Sequence, residues 1–295
     1  MSSILDWGVR AILWLQRFSP ALDLPFKAFT FLGEEEFFML LLPLLYWSVE
    51  RRTAMRLAVL YLSSTWVNAV AKAVGGQPRP FQYDSRVPAM VDATGEGLPS
   101  GHTQSATVVW GYLASQFQKT WVRILAGLLM VFIPLSRVYL GVHFPTDVLG
   151  GYLIGAVLLW LYLRFEPRVE AWLKSRPVLW QLVLVVIAGA ALALLSPGNS
   201  EDTASAAGVL MGMGVGFVLE SKSVRFDAGG DWGRRALRFA LGAAVVFALR
   251  FGLKAAFAAL TPELAFRFVR YALMGLWVSF AAPWMFVKLR LADKR

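Results

Sequence analysis

Apolar residues fall along this chain in long blocks, not in alternation with polar ones. The blocks lie at about 4–18, 36–49, 57–74, 101–117, 122–138, 144–163, 178–195, 204–219, 237–257 and 266–287. Each is long enough for a helix, and several approach the roughly 20 residues that cross a bilayer. The pattern predicts an all-α, polytopic transmembrane helical bundle. The first block contains Asp6, Arg10 and Gln16, so it either spans or lies in the interface, leaving nine or ten crossings. It has no small-residue cleavage site and reads as a retained helix, not a signal peptide. Residues 75–100 break the pattern with Gly75, Gly76, Pro78, Pro80, Pro88, Gly95, Gly97 and Pro99, and cannot form a helix across lipid. A connection of that length is either functional or a plain surface loop. A second break is expected at 166–177.

Composition agrees with the pattern. The chain of 295 residues is 57% hydrophobic and 16% charged, with a mean hydropathy of +0.56. Soluble domains are about 45–50% apolar and about 25% charged. The net charge of +10 does not point to nucleic acid, because Lys and Arg sit between apolar blocks and no basic stripe interleaves with aromatics. The connections at 51–56, 119–123, 164–176 and 222–238, with the tail 288–295, hold 18 of the 29 basic residues. The positive-inside rule assigns that side to the cytoplasm. Residues 75–100, the turn at Gly141 and the acidic connection 196–203, which has no Lys or Arg, then face the opposite side. With no cysteine in the chain, disulfides, zinc–thiolate sites and thiol catalysis are excluded.

The chain has only two histidines, each at a helix boundary on the non-cytoplasmic side. Pro99-Ser100-Gly101-His102 opens one helix, where free N–H groups and the positive end of the helix dipole favour an anion. Ser100 can cap the helix and Gly101 lets a ligand approach the backbone, although an ordinary N-cap would look the same. His143-Phe144-Pro145-Thr146-Asp147 opens another helix, and its His and Asp are four residues apart, on one face. A carboxylate on one ring nitrogen sets the tautomer and leaves the other nitrogen free to attack. An ionisable pair at the edge of lipid is costly, which favours function over a polar helix start. Lys72, Arg79 and Arg137 would bring positive charge to an oxyanion, though each alone reads as a snorkelling interfacial residue.

Together, Lys72-x6-Arg79-Pro80, Pro99-Ser100-Gly101-His102 and Ser136-Arg137-x5-His143-x3-Asp147 resemble the three-part signature of the type 2 phosphatidic acid phosphatase superfamily, the lipid phosphate phosphatases. Every defining position is present, in order and at the expected spacing. The resemblance covers about residues 29–163. It implies a metal-independent phosphoric monoester hydrolase without cofactor, in which His143 is the nucleophile that becomes a phosphohistidine. His102 would protonate the leaving oxygen, Asp147 would orient His143, and Lys72, Arg79, Ser100, Gly101 and Arg137 would hold the phosphoryl oxygens. The layout, with the segment 32–47 and the helices beyond 163, is similar to that of sphingosine-1-phosphate phosphatases and more distantly of glucose-6-phosphatases.

The expected organisation is a catalytic core at 1–165 followed by additional C-terminal transmembrane helices at 178–295. The expected partner is an amphiphilic phosphorylated lipid, within membrane lipid and without nucleic acid. Candidate substrates are a sphingoid-base phosphate, phosphatidic acid, phosphatidylglycerophosphate, a polyprenyl diphosphate or a sugar phosphate. A phosphotransferase on the same scaffold and a lipid phosphate transporter are the rival readings. The expected location is a bacterial inner membrane with the site facing the periplasm or exterior. Glu34, Glu35 and Glu36 read as dipole partners of a helix start, and Asn68 as either support for Lys72 or an interhelical hydrogen bond. The stripes Gly208/Gly212/Gly216 and Gly151/Gly155 permit close helix packing, within the bundle or in a homodimer.

Overall fold

The computed structural model describes residues 2–197 and 200–295. Two residues of the 196–203 connection, 198 and 199, lie outside the described residues, as does Met1. The described chain is helical, without a β-strand; its one extended pairing is an isolated bridge between Phe226 and Lys294. It divides into two compact units.

The first unit, Met1–Phe38 with Val67–Leu163, contains α1 (Ser2–Gln16), α2 (Asp23–Phe31), the start of α3 (Glu35–Ser48) and the end of α4 (Arg51–Gly75). It continues with the single turn α5 (Pro80–Tyr83), α6 (Gly101–Gln116), α7 (Thr120–Tyr139) and most of α8 (Pro145–Lys174). α7 is the hub, packing against α1, α2 and α6. Its residues Val138, Tyr139, Leu129 and Ile133 seed three adjoining apolar clusters, with Leu5, Val9 and Ile12 of α1, Phe26 of α2 and Ala106 of α6. α2 was not foreseen from the sequence, because Asp23, Lys27 and Thr30 interrupt its apolar face. Pro25 is tolerated there, since a first-turn residue needs no N–H partner within the helix.

The long connection 76–100 forms only the turn α5, and polar bonds tie it down. Gln16 Nε2 donates to the carbonyls of Pro88 (3.1 Å) and Tyr139 (3.0 Å), and Met90 N donates to Leu140 O (3.0 Å). Gly141, at φ +73°, makes the turn that brings the end of α7 against this loop.

α6 and the start of α8 approach closely because α8 carries glycine where they touch. A Cβ on Gly151 would stand 2.6 Å from Ser100 O and 2.8 Å from Thr103 Cβ. One on Gly155 would stand 2.8 Å from Thr107 Cβ. The Gly151/Gly155 stripe therefore sets the two helices that begin near His102 and His143 side by side, and Ser100 N donates to Asp147 O at 3.0 Å.

The second unit, Met39–Trp66 with Arg164–Arg295, adds α9 (Val178–Leu194), α10 (Glu201–Ser223) and α11 (Trp232–Phe257). α12 (Glu263–Leu276) follows, then a π-helical turn (Trp277–Ala281) and α13 (Ala282–Lys288). α10 packs on α9, α12 and the π turn. Its Gly208 and Gly212 lie against the backbone of α12, and Gly216 against Ser279, so this stripe is filled from within the unit. The break expected at 166–177 is instead helix as far as Lys174, because α8 runs through Pro167. Glu166 and Glu170 there pair with Arg56, Arg52 and Lys174. Residues 39–66 group with the C-terminal segment, so the compact units do not follow the linear division at about 165.

Among the described residues, six helical stretches are long and apolar enough to cross a membrane: Arg51–Tyr83, Thr120–Tyr139, Pro145–Lys174, Glu201–Ser223, Trp232–Phe257 and Glu263–Lys288. Helices α1, α3 and α6, at 15, 14 and 16 residues, are shorter than the roughly 17–25 residues of a full crossing, and α9, at 17, stands at its lower limit. By length and composition alone, six candidates stand against the nine or ten crossings foreseen.

Candidate active site

Each predicted site residue belongs to the first unit, where the charges of Lys72, Arg79 and Arg137 act on both His102 and His143. His143 follows α7 and is 2% exposed. Its Nδ1 faces Asp147 Oδ2 at 3.2 Å, and Asp147, in the first turn of α8, is fully buried. The same Oδ2 accepts from Phe144 N at 2.9 Å, and Oδ1 accepts from Gln77 Nε2 at 2.6 Å. A carboxylate only accepts, so Nδ1 carries the imidazole proton and Nε2 presents its lone pair. Burial, followed by the charges of Arg137, Arg79 and Lys72 and by His102, holds His143 well below the ordinary histidine range, as a neutral ring.

His102 lies in the first turn of α6, whose N-cap Ser100 accepts from Thr103 N through its hydroxyl (3.4 Å). The His102 ring packs on Gly33, where a Cβ would come within 2.7 Å of Cδ2; no larger residue fits between α2 and α3 there. His102 Nε2 is buried with no hydrogen-bond partner among the described residues. Gly101 lies against Asn68, whose amide donates to Gln104 Oε1 at 2.9 Å and to Pro99 O at 3.4 Å. Asn68 thus secures the start of α6 and makes the interhelical hydrogen bond foreseen for it.

The three cations differ in their surroundings. Lys72, half-buried in the last turn of α4, acts electrostatically on both imidazoles, as do Arg79 and Arg137. Arg137, in the last turn of α7, is 4% exposed; one terminal nitrogen donates to the Thr30 hydroxyl and its Nε is buried without a partner. Arg79 is largely engaged by the loop backbone: Nε donates to Gly95 O (2.9 Å), NH1 to Val142 O (3.0 Å) and NH2 to Thr94 O (2.6 Å). NH1 also lies 3.4 Å from His143 Nε2. Arg79 therefore fastens the 94–95 loop to the turn that carries His143, leaving one or two N–H groups for an anion.

Thr30 and Gln77 were not singled out in the sequence. Their partners are 107 and 70 residues away, and no local pattern marks a lone Thr or Gln. Glu34, for which the sequence favours the dipole reading over a role at the substrate mouth, lies close enough to Arg137 to interact with it; burial raises its carboxyl, and Arg137 draws it partly back down. Glu34 precedes α3, so a dipole role at that helix start is compatible with this position.

Chemically, Arg137 Nε and His102 Nε2, without partners among the described residues, share a cationic region with a neutral imidazole whose Nε2 lies 3.4 Å from Arg79 NH1. Such a set accepts a tetrahedral oxyanion and offers it one nucleophilic nitrogen. Among the described residues no group of three or more His, Asp and Glu could hold a metal ion.

The PAP2 superfamily model matches residues 53–171, which include every predicted site residue. A second model, the transmembrane extension of PAP2 superfamily phosphatases, matches residues 204–294. Glucose-6-phosphatase 3 of Mus musculus is 33% identical over 196 residues, 57% of this chain and 55% of that protein. Sphingosine-1-phosphate phosphatase 2 of Mus musculus is 31% identical over 162 residues, 52% of this chain and 46% of that protein. The chain spans about half the length of these relatives. The crystal structure of a transmembrane PAP2 type phosphatidylglycerolphosphate phosphatase from Bacillus subtilis aligns with a TM-score of 0.49. It is 24% identical, over 57% of this chain and 89% of that one. The chain therefore carries a PAP2 superfamily domain at residues 53–171, followed at 204–294 by the transmembrane extension of PAP2 superfamily phosphatases.

Proposed function

We propose that this protein is a membrane phosphatase that hydrolyses a lipid phosphate monoester, or a lipid pyrophosphate, through a phosphohistidine at the non-cytoplasmic face. The observation that carries the reading is the convergence of a neutral His143, oriented by Asp147, with His102 and three cations whose charges act on both rings. His143 Nε2 attacks phosphorus; the N–P bond forms, the P–O bond to the alcohol breaks, and His102 supplies the proton to the leaving oxygen. His102 then takes a proton from water as that water attacks phosphorus, breaking the N–P bond and releasing phosphate. Lys72, Arg79 and Arg137, with the N–H groups at the start of α6, stabilise charge on the phosphoryl oxygens, which is most of what phosphoryl transfer requires. Ser100 contributes through its capping of that helix, and Gly101 through the approach it allows to the backbone.

The basic connections support placing the site opposite the cytoplasm, in a plasma or inner membrane. The relatives' names include both a sugar phosphate and a lipid phosphate. Apolar helix surfaces around the site favour the amphiphile, and glucose 6-phosphate is the second candidate. The test is phosphate release by the purified protein in detergent, across sphingosine 1-phosphate, phosphatidic acid, phosphatidylglycerophosphate, a polyprenyl diphosphate and glucose 6-phosphate. His143→Ala and His102→Ala are expected to abolish release, and undiminished release by His143→Ala would sink the mechanism. Product analysis with an added acceptor lipid separates hydrolysis from transfer. Lipid movement at the normal rate by His143→Ala in vesicles would reveal transport as a separate activity.

A further inference from the structure

Asp147 is enclosed more completely than its pairing with His143 requires. Its Oδ2 is shared by His143 Nδ1 and Phe144 N, while among the described residues Oδ1 meets a single donor, Gln77 Nε2, at 2.6 Å. Gln77 is 8% exposed, in the connection that follows α4. Its backbone is held in turn: Gly97 N donates to Gln77 O at 2.8 Å, and Gly97 leaves so little room that a Cβ there would stand 2.9 Å from Asp147 Oδ2. A carboxylate can only accept, so the amide nitrogen of Gln77, not its oxygen, must face Asp147.

We infer that Gln77 is a positioning residue that acts through Asp147 to fix the tautomer and aim of His143. Without its donor, Oδ1 would be a buried acceptor with no partner. The carboxyl group would then rotate or take up a proton, and either change releases Nδ1–H. The imidazole would then lose the tautomer that presents Nε2 to phosphorus. A neutral donor suits the position. It orients the carboxylate without cancelling the negative charge that stabilises His143 as Nε2 acquires a bond to phosphorus, whereas Lys or Arg would cancel it. The inference rests on the reading of His143 as nucleophile.

The variant to make is Gln77→Met, similar in length but without a donor. Its kcat is expected to fall about 10- to 100-fold with KM nearly unchanged, the usual scale for losing a partner that orients a reacting group. In an Asp147→Asn background, Gln77→Met should cost nothing further, because its effect passes through the carboxylate. Wild-type kcat in the single variant, or losses that multiply in the double variant, would overturn the inference. A second measurement does not need turnover. The chain has only two histidines, so 15N NMR of labelled protein with His102→Gln as reference isolates the His143 ring. It should show an Nδ1–H ring in the parent protein and a mixed or Nε2–H ring in Gln77→Met; an unchanged ring would refute the coupling. If His143→Ala keeps its activity while the NMR change is seen, the nucleophile assignment fails and the Gln77–Asp147–His143 chain stands. Should Gln77→Met not fold, Gln77→Leu, also without a donor, serves in the same measurements.

Discussion

Arg137 is buried to 4% exposure, and the Thr30 hydroxyl holds one of its terminal nitrogens. Replacing Thr30 with Val keeps the shape and removes the acceptor. A hydrogen bond to a charged group contributes about 1.5–3 kcal/mol, so kcat/KM should drop roughly 10- to 100-fold on that scale. Thr30→Ser, which restores the hydroxyl, should recover most of it in the same steady-state assay. His143 offers a second prediction. Burial and surrounding cations lower its pKa, so the neutral ring persists below the ordinary 6.5. An NMR titration should find His143 neutral at pH 6, with protonation only further down; a midpoint near 6.5 would contradict the cationic environment described. The local motifs were legible at this scale. Ser100, His102 and Asp147 lie at helix starts and His143 two residues before one, where an N-cap and a pair four residues apart have a recognisable spacing. Thr30 and Gln77 were not legible, since what gives them a role is another segment folded against them.

At the scale of elements, the two glycines on α8 decide how near its start comes to that of α6. Gly151→Val would drive a branched side chain into Ser100 O and Thr103, neither of which is the yielding end of a flexible chain. Overpacking of this kind costs about 1–3 kcal/mol and here separates His143 from His102. Activity should therefore fall further than thermal stability in detergent does. The contrasting substitution is Gly127→Ala in α7, where nothing lies within 4 Å of an added Cβ. It should leave activity intact and raise the melting temperature slightly, in keeping with the helix preference of Ala over Gly of about 1 kcal/mol. The sequence showed the glycine stripe; that its partner is α6 depended on the folded arrangement. The same holds for α2, whose mixed apolar and charged residues conceal a helix until Phe26 is seen stacked on Tyr139.

For the whole molecule, the division into two units separates site from scaffold in an order the linear chain does not follow, since residues 39–66 join the C-terminal helices. The second unit has its own buried charge. Glu220 is fully buried, paired with Arg51 and accepting from Phe226 N at 2.9 Å. Removing one partner of a buried ion pair leaves the other uncompensated, so Glu220→Ala should destabilise by about 3–5 kcal/mol. A thermal melt in detergent would register this as a large drop in midpoint, and an unchanged midpoint would show the pair to be incidental.

Some features were settled by the sequence alone, because they depend on local or summed properties. Apolar blocks of helical length cannot stay in water, so a membrane helical fold follows from composition and spacing. The helix-start motifs likewise carry their chemistry in residues one turn apart. Tertiary structure decided which of those motifs meet. What Arg79 grips and which residue holds the far oxygen of Asp147 depend on contacts across 15 to 70 residues. Hydrogen bonds act over about 3 Å, so their partners are defined only once the helices have packed.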